Sequence, residues 1–106
     1  METIEAKNRI LKVAQGMLAG DIHLLVGCRI ITGLYSYTDQ PDDEIFLTFR
    51  SIDSDIDRFP IGVSRVLCDP DYLIRIDQEI STYLQAAESD IRKACSKIIE
   101  EFTIKT

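Results

Sequence analysis

The carboxyl-terminal third of the chain carries one apolar stripe that keeps helical phase from about residue 70 to residue 102. Asp69 is a typical N-cap and Pro70 a typical first helical residue. A straight helix of about 33 residues would be roughly 50 Å long, whereas a compact domain of this size has a radius of gyration of about 13 Å. We therefore predict a long helix with a bend or break near residues 88–90. Its apolar positions recur at helical spacing: Leu73, Ile76, Ile80, Tyr83, Leu84, Ala87, Ile91, Ala94, Cys95, Ile98 and Phe102.

Residues 3–18 form a second amphipathic pattern, and it ends in a sharp corner. Apolar side chains fall on one face and most cations on the other, with Thr3 as the candidate N-cap. Gly20 stands where a helix commonly enters the left-handed conformation, and Asp21 can cap a following helix. The pattern predicts two helices that meet at residues 19–21.

Residues 22–35 are apolar on nearly every side. Their β-branched content permits a strand, but about 14 residues exceed the usual strand length, so length favours a helix. A helix that is apolar all round is usually the central, buried one. Gly27 and Gly33 each cost such a helix roughly 1 kcal/mol relative to alanine. We predict that a neighbouring helix packs closely against both glycines.

A third helix is predicted over residues 42–52, because Pro41 and the carboxylates after it suit a first helical turn. A strand over residues 44–49 is the alternative, but no partner strand is visible elsewhere. Residues 51–67 are expected to be irregular. At 106 residues the chain has the length of one domain, spanning residues 1–106. The predicted fold class is all-α: a single-domain bundle of about four helices with a long carboxyl-terminal helix.

The negative charge is concentrated in residues 39–57, called here the acidic segment. The chain has 12 Lys and Arg against 18 Asp and Glu, a net charge of −6, which is the wrong sign for holding a phosphate backbone directly. The segment is either a solvated loop region or a surface that docks a basic partner and speeds its approach. Tyr37, beside it, is a candidate anchor of such an interface. Its one cation is Arg50, and its carboxylates are Asp39, Asp42, Asp43, Glu44, Asp53, Asp55 and Asp57.

Little else in the sequence offers catalytic or metal-binding chemistry. Residues 53–57 begin like an EF-hand loop, but Arg58 stands where the loop needs glycine and Ser64 where it needs a bidentate glutamate. His23 is the one histidine, and in the first turn of an apolar helix a structural role is commoner than that of a base. We predict no catalytic residue, no metal and no cofactor.

Arg29 lies midway along the predicted central helix, where a lone cation would be costly to desolvate. We predict a carboxylate partner among Asp53, Asp55 and Asp57, which would make part of the acidic segment structural. Arg65 is a similar, weaker candidate for an anchor.

Cysteine usage and hydropathy bear on the compartment. Cys28, Cys68 and Cys95 are odd in number and form no close pair, so they are predicted to be buried thiols and not a disulfide or zinc framework. No run of 18 apolar residues occurs, and the amino terminus is acidic where a signal peptide is basic. We expect a cytoplasmic protein without membrane association.

Four groups of residues resemble a family of small bacterial proteins. Over about residues 14–101 the family pattern has a Gly-Glu/Asp-Ile corner, a Gly-Cys/Ala-Arg-Arg helix, an Ile-Asp-Ser-Glu-Thr-Asp-x-Leu-Pro-x-Gly segment and a Lys-Asp-x-Glu-Ile helix. The chain departs from it at Ile30, at residues 54–56 and at residues 75–77. The matching residues are Leu18, Ala19, Gly20, Asp21 and Ile22; Gly27, Cys28 and Arg29; Ile52, Asp53, Ser54, Asp57, Pro60, Gly62 and Arg65; and Asp69, Pro70, Leu73, Asp77, Glu79 and Ile80.

Members of this family resemble immunity proteins encoded beside toxin genes, including those of contact-dependent growth inhibition systems. The resemblance implies a cytoplasmic antidote that binds the carboxyl-terminal domain of a cognate toxin. We expect a monomer that forms a one-to-one complex with it. Many such toxins are basic nucleases, which suits the acidic segment and Tyr37 as the toxin-binding surface. Two alternatives are a small helical enzyme or ligand-binding domain that uses His23, and a homodimeric adaptor that pairs through an apolar stripe left over on the long helix.

Overall fold

The computed structural model describes residues 1–104 of the chain, and the side chains up to Thr103. Within them lie four α-helices: α1 (Thr3–Ala19), α2 (Leu24–Leu34), α3 (Leu47–Asp55) and α4 (Pro70–Ile104). Three short 3₁₀ helices, Tyr35–Tyr37, Glu44–Phe46 and Gly62–Leu67, occupy the connections. This confirms the predicted all-α bundle with a long carboxyl-terminal helix. The last two residues of the predicted domain 1–106 lie outside the described part of the chain.

The corner after α1 is closed by a left-handed glycine, as predicted. Gly20 has φ of 85°. Its amide donates to the Met17 carbonyl at 3.3 Å, and the Asp21 amide donates to the Gly16 carbonyl at 2.9 Å, the paired pattern of a Schellman motif. The predicted Thr3 cap is wrong, because Thr3 is already helical and Glu2 precedes it without a side-chain cap bond.

The start of α2 differs from the prediction. The Ile22 amide still donates to the Gly16 carbonyl, at 3.1 Å, so at Ile22 the chain is still completing the end of α1. The helix therefore begins at Leu24, and its cap is His23, whose Nδ1 accepts from the Leu25 amide at 3.1 Å. Asp21 is exposed and caps nothing.

The two glycines of α2 have opposite surroundings. A Cβ at Gly27 would collide with the buried side chain of Met17 on α1, which confirms the close approach predicted there. A Cβ at Gly33 would meet nothing within 4 Å, so the prediction of close packing at Gly33 is wrong. Gly33 lies one residue before the end of α2, where no neighbouring helix covers it.

The third helix begins later than predicted and extends further. Asp43 caps the 3₁₀ helix Glu44–Phe46 by accepting from the Ile45 amide at 3.0 Å, and this turn leads directly into α3. Pro41 lies outside the helix. Burial of Phe49, Ile52 and Ile56 on one face holds the chain helical through Asp55, so the predicted irregular stretch begins only after α3.

The long helix α4 runs from Pro70 to Ile104 without interruption, so the predicted break is absent. Asp69 caps it, with Oδ1 accepting from the Asp71 amide at 3.1 Å. No glycine or proline follows Pro70 to break it, and an Arg92–Glu88 ion pair of 3.1 Å spans the expected break. The radius of gyration is 14.3 Å and the longest dimension 47 Å, so the helix gives an elongated molecule.

Burial is uneven along α4. Its carboxyl-terminal half packs into one core with α1, α2 and α3, whereas in its amino-terminal half only Ile76 is buried. The buried positions of the carboxyl-terminal half are Ile91, Ala94, Cys95, Ile98 and Phe102.

None of the helices within residues 1–104 combines the length and the apolar character that crossing a bilayer requires.

Candidate functional site

The acidic segment runs from the loop after Tyr37, through the 3₁₀ helix Glu44–Phe46 and α3, to the residues just beyond α3. Its carboxylates do not form one uniform surface. Within residues 1–104 they divide into a group that holds the fold together and a group that faces solvent without a side-chain partner.

Asp39 and Asp43 belong to the first group. Asp39 forms an ion pair with Lys7 of α1, with Nζ 2.8 Å from Oδ1. Asp43 caps the turn that leads into α3. Both line a small depression between this loop and Phe102 of α4, so these two acids attach the loop to the bundle.

Asp53 is the partner of Arg29, as predicted. The Arg29 Nε donates to Asp53 Oδ1 at 3.2 Å, and its Nη2 donates to the Ile56 carbonyl at 3.1 Å. Thr32, one turn further along α2, donates to the Phe49 carbonyl at 3.1 Å. These bonds fasten α2 to α3, so Asp53 is structural.

Asp55 also has an internal partner. Its Oδ2 accepts from the Tyr83 hydroxyl on α4 at 2.9 Å. Burial, together with this hydrogen bond, raises the pKa of the Tyr83 phenol. Asp53 and Asp55 therefore reach to different neighbours of α3: Asp53 contacts α2 and Asp55 contacts α4. No group of three metal-ligating side chains is found anywhere in residues 1–104.

Three acids of the segment are solvent-exposed and have no side-chain partner within the described residues: Asp42, Glu44 and Asp57. Asp42 and Glu44 lie at the amino-terminal end of α3, and Asp57 lies beyond its carboxyl-terminal end. The nine residues of α3 separate these ends by about 14 Å. The charge available to a partner is therefore in two places, and the larger is at residues 42–44.

A groove of about 710 Å³ opens beside residues 43 and 44, between α3 and the carboxyl-terminal half of α4. We call it the α3–α4 groove. Its α4 wall covers about three turns, because residues 90, 93, 94, 97 and 101 recur on one face. Four carboxylates and two lysines line it together with apolar and hydroxyl groups: Asp43, Glu44, Ile45, Leu47, Thr48, Ser51, Ile52, Asp90, Lys93, Ala94, Lys97 and Glu101.

Two large apolar side chains in this part of the chain are exposed. Leu47, on the groove, is 52% exposed, and Tyr37, in the preceding 3₁₀ helix, is 48% exposed. Tyr37 is thus accessible, as an anchor must be. The sequence analysis did not identify Leu47. The signal that could have identified it is its position, since Leu47 lies off the helical face formed by Phe49, Ile52 and Ile56.

His23 lies apart from this region. It lines a second cleft, of about 520 Å³, with Arg65 and Asp77. These two form a bidentate ion pair with distances of 2.7 and 2.8 Å, and the bonds from Arg65 lower the pKa of the Asp77 carboxyl. His23 is exposed, and its Nδ1 is used in capping α2. Its role in this structure is structural, as a helix cap, and an enzyme that uses His23 stays an alternative.

The three cysteines differ in burial. Cys28 and Cys95 are buried, as predicted, and desolvation raises the pKa of Cys28 to about 12 and that of Cys95 to about 11. Both thiols are therefore protonated and inert near neutral pH. Cys68 is half-buried, contrary to the prediction, because the 3₁₀ helix that precedes it lies on the surface.

No protein-family model, curated protein or solved structure matches this chain.

Proposed function

We propose that this protein is a cytoplasmic immunity protein that binds and neutralises the carboxyl-terminal domain of a cognate toxin, a basic nuclease, and is not itself an enzyme. One chain binds one toxin domain. The binding surface comprises the exposed carboxylates of Asp42 and Glu44 and the adjoining α3–α4 groove. Asp57 contributes a second negative point beyond α3, and no cofactor, metal or nucleic acid takes part in the binding.

The observation that carries this proposal is a pair of unpartnered carboxylates: Glu44, which lines a groove that also exposes Leu47, and Asp42, two residues before Glu44 in the chain. A nuclease binds the phosphates of its substrate with cationic side chains. A fixed negative surface attracts those cations, and an apolar anchor beside it supplies the contact that persists after water is displaced. Asp39, Asp43, Asp53 and Asp55 support the surface by holding the loop and α3 in place.

The test is co-expression with the toxin domain encoded by the neighbouring gene of the native operon. We expect this chain to restore growth and to form a one-to-one complex whose association slows as salt is added. Absence of both growth protection and binding would contradict the proposal.

Two double variants with equal charge change locate the surface. Asp42→Asn/Glu44→Gln removes the unpartnered acids at the groove, and Glu2→Gln/Asp21→Asn removes two exposed acids elsewhere. We expect the first variant to associate with the toxin roughly 3- to 10-fold more slowly at low salt, whereas the second stays near the parent rate. Equal effects of the two variants would show that only net charge matters and would refute the assigned surface.

A further inference from the structure

The amino-terminal part of α4 and the 3₁₀ helix before it expose an apolar surface that the toxin-binding proposal does not use. Val63, Val66 and Leu67 are 89%, 84% and 87% exposed, and Ile74 is 65% exposed. These four side chains are called here the valine patch. Large aliphatic side chains so fully exposed, and so close together in the chain, are unusual for a monomer.

The 3₁₀ helix that carries Val63, Val66 and Leu67 is fastened to α4 near the fourth side chain, Ile74. Arg65 binds Asp77 through two hydrogen bonds, and this ion pair fastens the 3₁₀ helix Gly62–Leu67 to one side of α4. Ile74 precedes Asp77 by three residues, so it lies on that same side of α4. In a 3₁₀ helix, residues three apart share a face, which places Val63 and Val66 together and away from Arg65.

The charges beside the patch are self-complementary. Asp71 and Arg75 are exposed, four residues apart on the stripe that includes Ile74, and neither has a side-chain partner within residues 1–104. If two copies of α4 cross antiparallel about a twofold axis near Leu73, Asp71 of each copy faces Arg75 of the other. In a twofold contact both Asp71–Arg75 ion pairs form together, because each copy contributes the same surface.

We propose that the valine patch binds a second copy of this chain in an antiparallel, twofold α4 contact. The four side chains present on the order of 600 Å² of surface, which approaches the roughly 800 Å² per partner of a standard interface. The contact lies outside the α3–α4 groove, so each chain of the dimer keeps its toxin-binding surface. The proposal departs from the sequence-based expectation of a monomer and does not depend on the proposed function.

The oligomeric state is measured by sedimentation equilibrium of the full chain from about 1 μM to several hundred μM, a range that covers micromolar dissociation constants. We expect a monomer–dimer equilibrium that Val66→Asp abolishes. Ile4→Asp is the matched control, because Ile4 on α1 is 67% exposed, as much as Ile74 is. It should leave the equilibrium unchanged, and circular dichroism confirms that each variant stays folded.

Charge reversal tests whether the valine patch binds a second copy of this chain. Asp71→Arg and Arg75→Asp, each alone, place like charges across the axis and should weaken the dimer by roughly tenfold or more. A mixture of the two variants restores opposite charges at both pairs and should form a heterodimer. The double variant Asp71→Arg/Arg75→Asp should form a homodimer again.

Two results would overturn the proposal. One is a monomer at every concentration, which would leave the patch to a different protein. The other is a dimer that Val66→Asp and both charge reversals leave intact, which would put the interface elsewhere. Neither result bears on growth protection against the toxin, so the two proposals fail separately.

Discussion

Replacing each glycine of α2 by alanine should change stability in opposite directions. Gly27 and Gly33 lie six residues apart in one helix, and neither has a positive φ. The gain from alanine helix propensity, about 1 kcal/mol, is therefore the same at both positions. What differs is the space around the new methyl group.

At Gly33 nothing lies within 4 Å of the added Cβ, so Gly33→Ala should stabilise the protein by about 0.5–1 kcal/mol. At Gly27 the methyl group would overlap three atoms of the Met17 side chain. Met17 is only 1% exposed and its sulfur lies 3.7 Å from Cys95 Sγ, so it has no free space to enter. Overpacking of this kind typically costs about 1–3 kcal/mol, and Gly27→Ala should therefore destabilise the protein by up to about 2 kcal/mol net.

Urea unfolding followed by circular dichroism measures both changes, and the slope should stay constant if only stability has changed. The clash with Met17 is isolated by a double-mutant cycle with Met17→Ala, which removes the obstructing atoms. Met17→Ala should cost about 1 kcal/mol less in the Gly27→Ala background than in the parent chain. Equal effects of the two glycine substitutions, or a cycle without coupling, would refute the packing argument.

Two further predictions concern the fastening of α3 and the buried thiols. Asp53→Asn should lower the free energy of unfolding by about 1 kcal/mol, because it weakens a half-exposed charged pair whose arginine keeps its bond to the Ile56 carbonyl. Asp42→Asn, the control, should leave the urea midpoint unchanged. Equal midpoints for the two variants would contradict the division of the acidic segment. Burial raises the pKa of Cys28 from 9.0 to about 12, so the contribution of this thiol to stability is complete below pH 9 and is lost as the pH rises toward 12. Cys28→Ala should therefore flatten the fall in unfolding free energy over that range. An unchanged slope would contradict this prediction.

The sequence predicted the helical architecture because long apolar periods leave few alternatives. The stripe of α4, the Asp69 cap and the Gly20 corner each rest on local geometry that neighbouring residues already define. Two of the errors concerned where a helix begins and whether it continues. The start of α2 was shifted by an amide still bonded to Gly16, and the absence of a break in α4 reflects a continuous core contact and an ion pair across residues 88–92.

The acidic segment shows why counting charges along a sequence overstates the number of carboxylates without an internal partner. Seven carboxylates within residues 39–57 suggested one field, but whether a carboxylate is available depends on which helix faces it, and that is settled by tertiary packing. Arg29 was predictable as a partner because a cation in an apolar helix requires an anion. Tyr83 was not, since its hydroxyl reaches Asp55 across 28 positions of sequence. Asp53 and Asp55 are held on opposite flanks of α3 and stabilise the fold. The proposed binding of a partner therefore falls to other carboxylates of the same segment. Neutralising Asp42 and Glu44 should therefore slow partner association without lowering stability, while neutralising Asp53 should lower stability without slowing association.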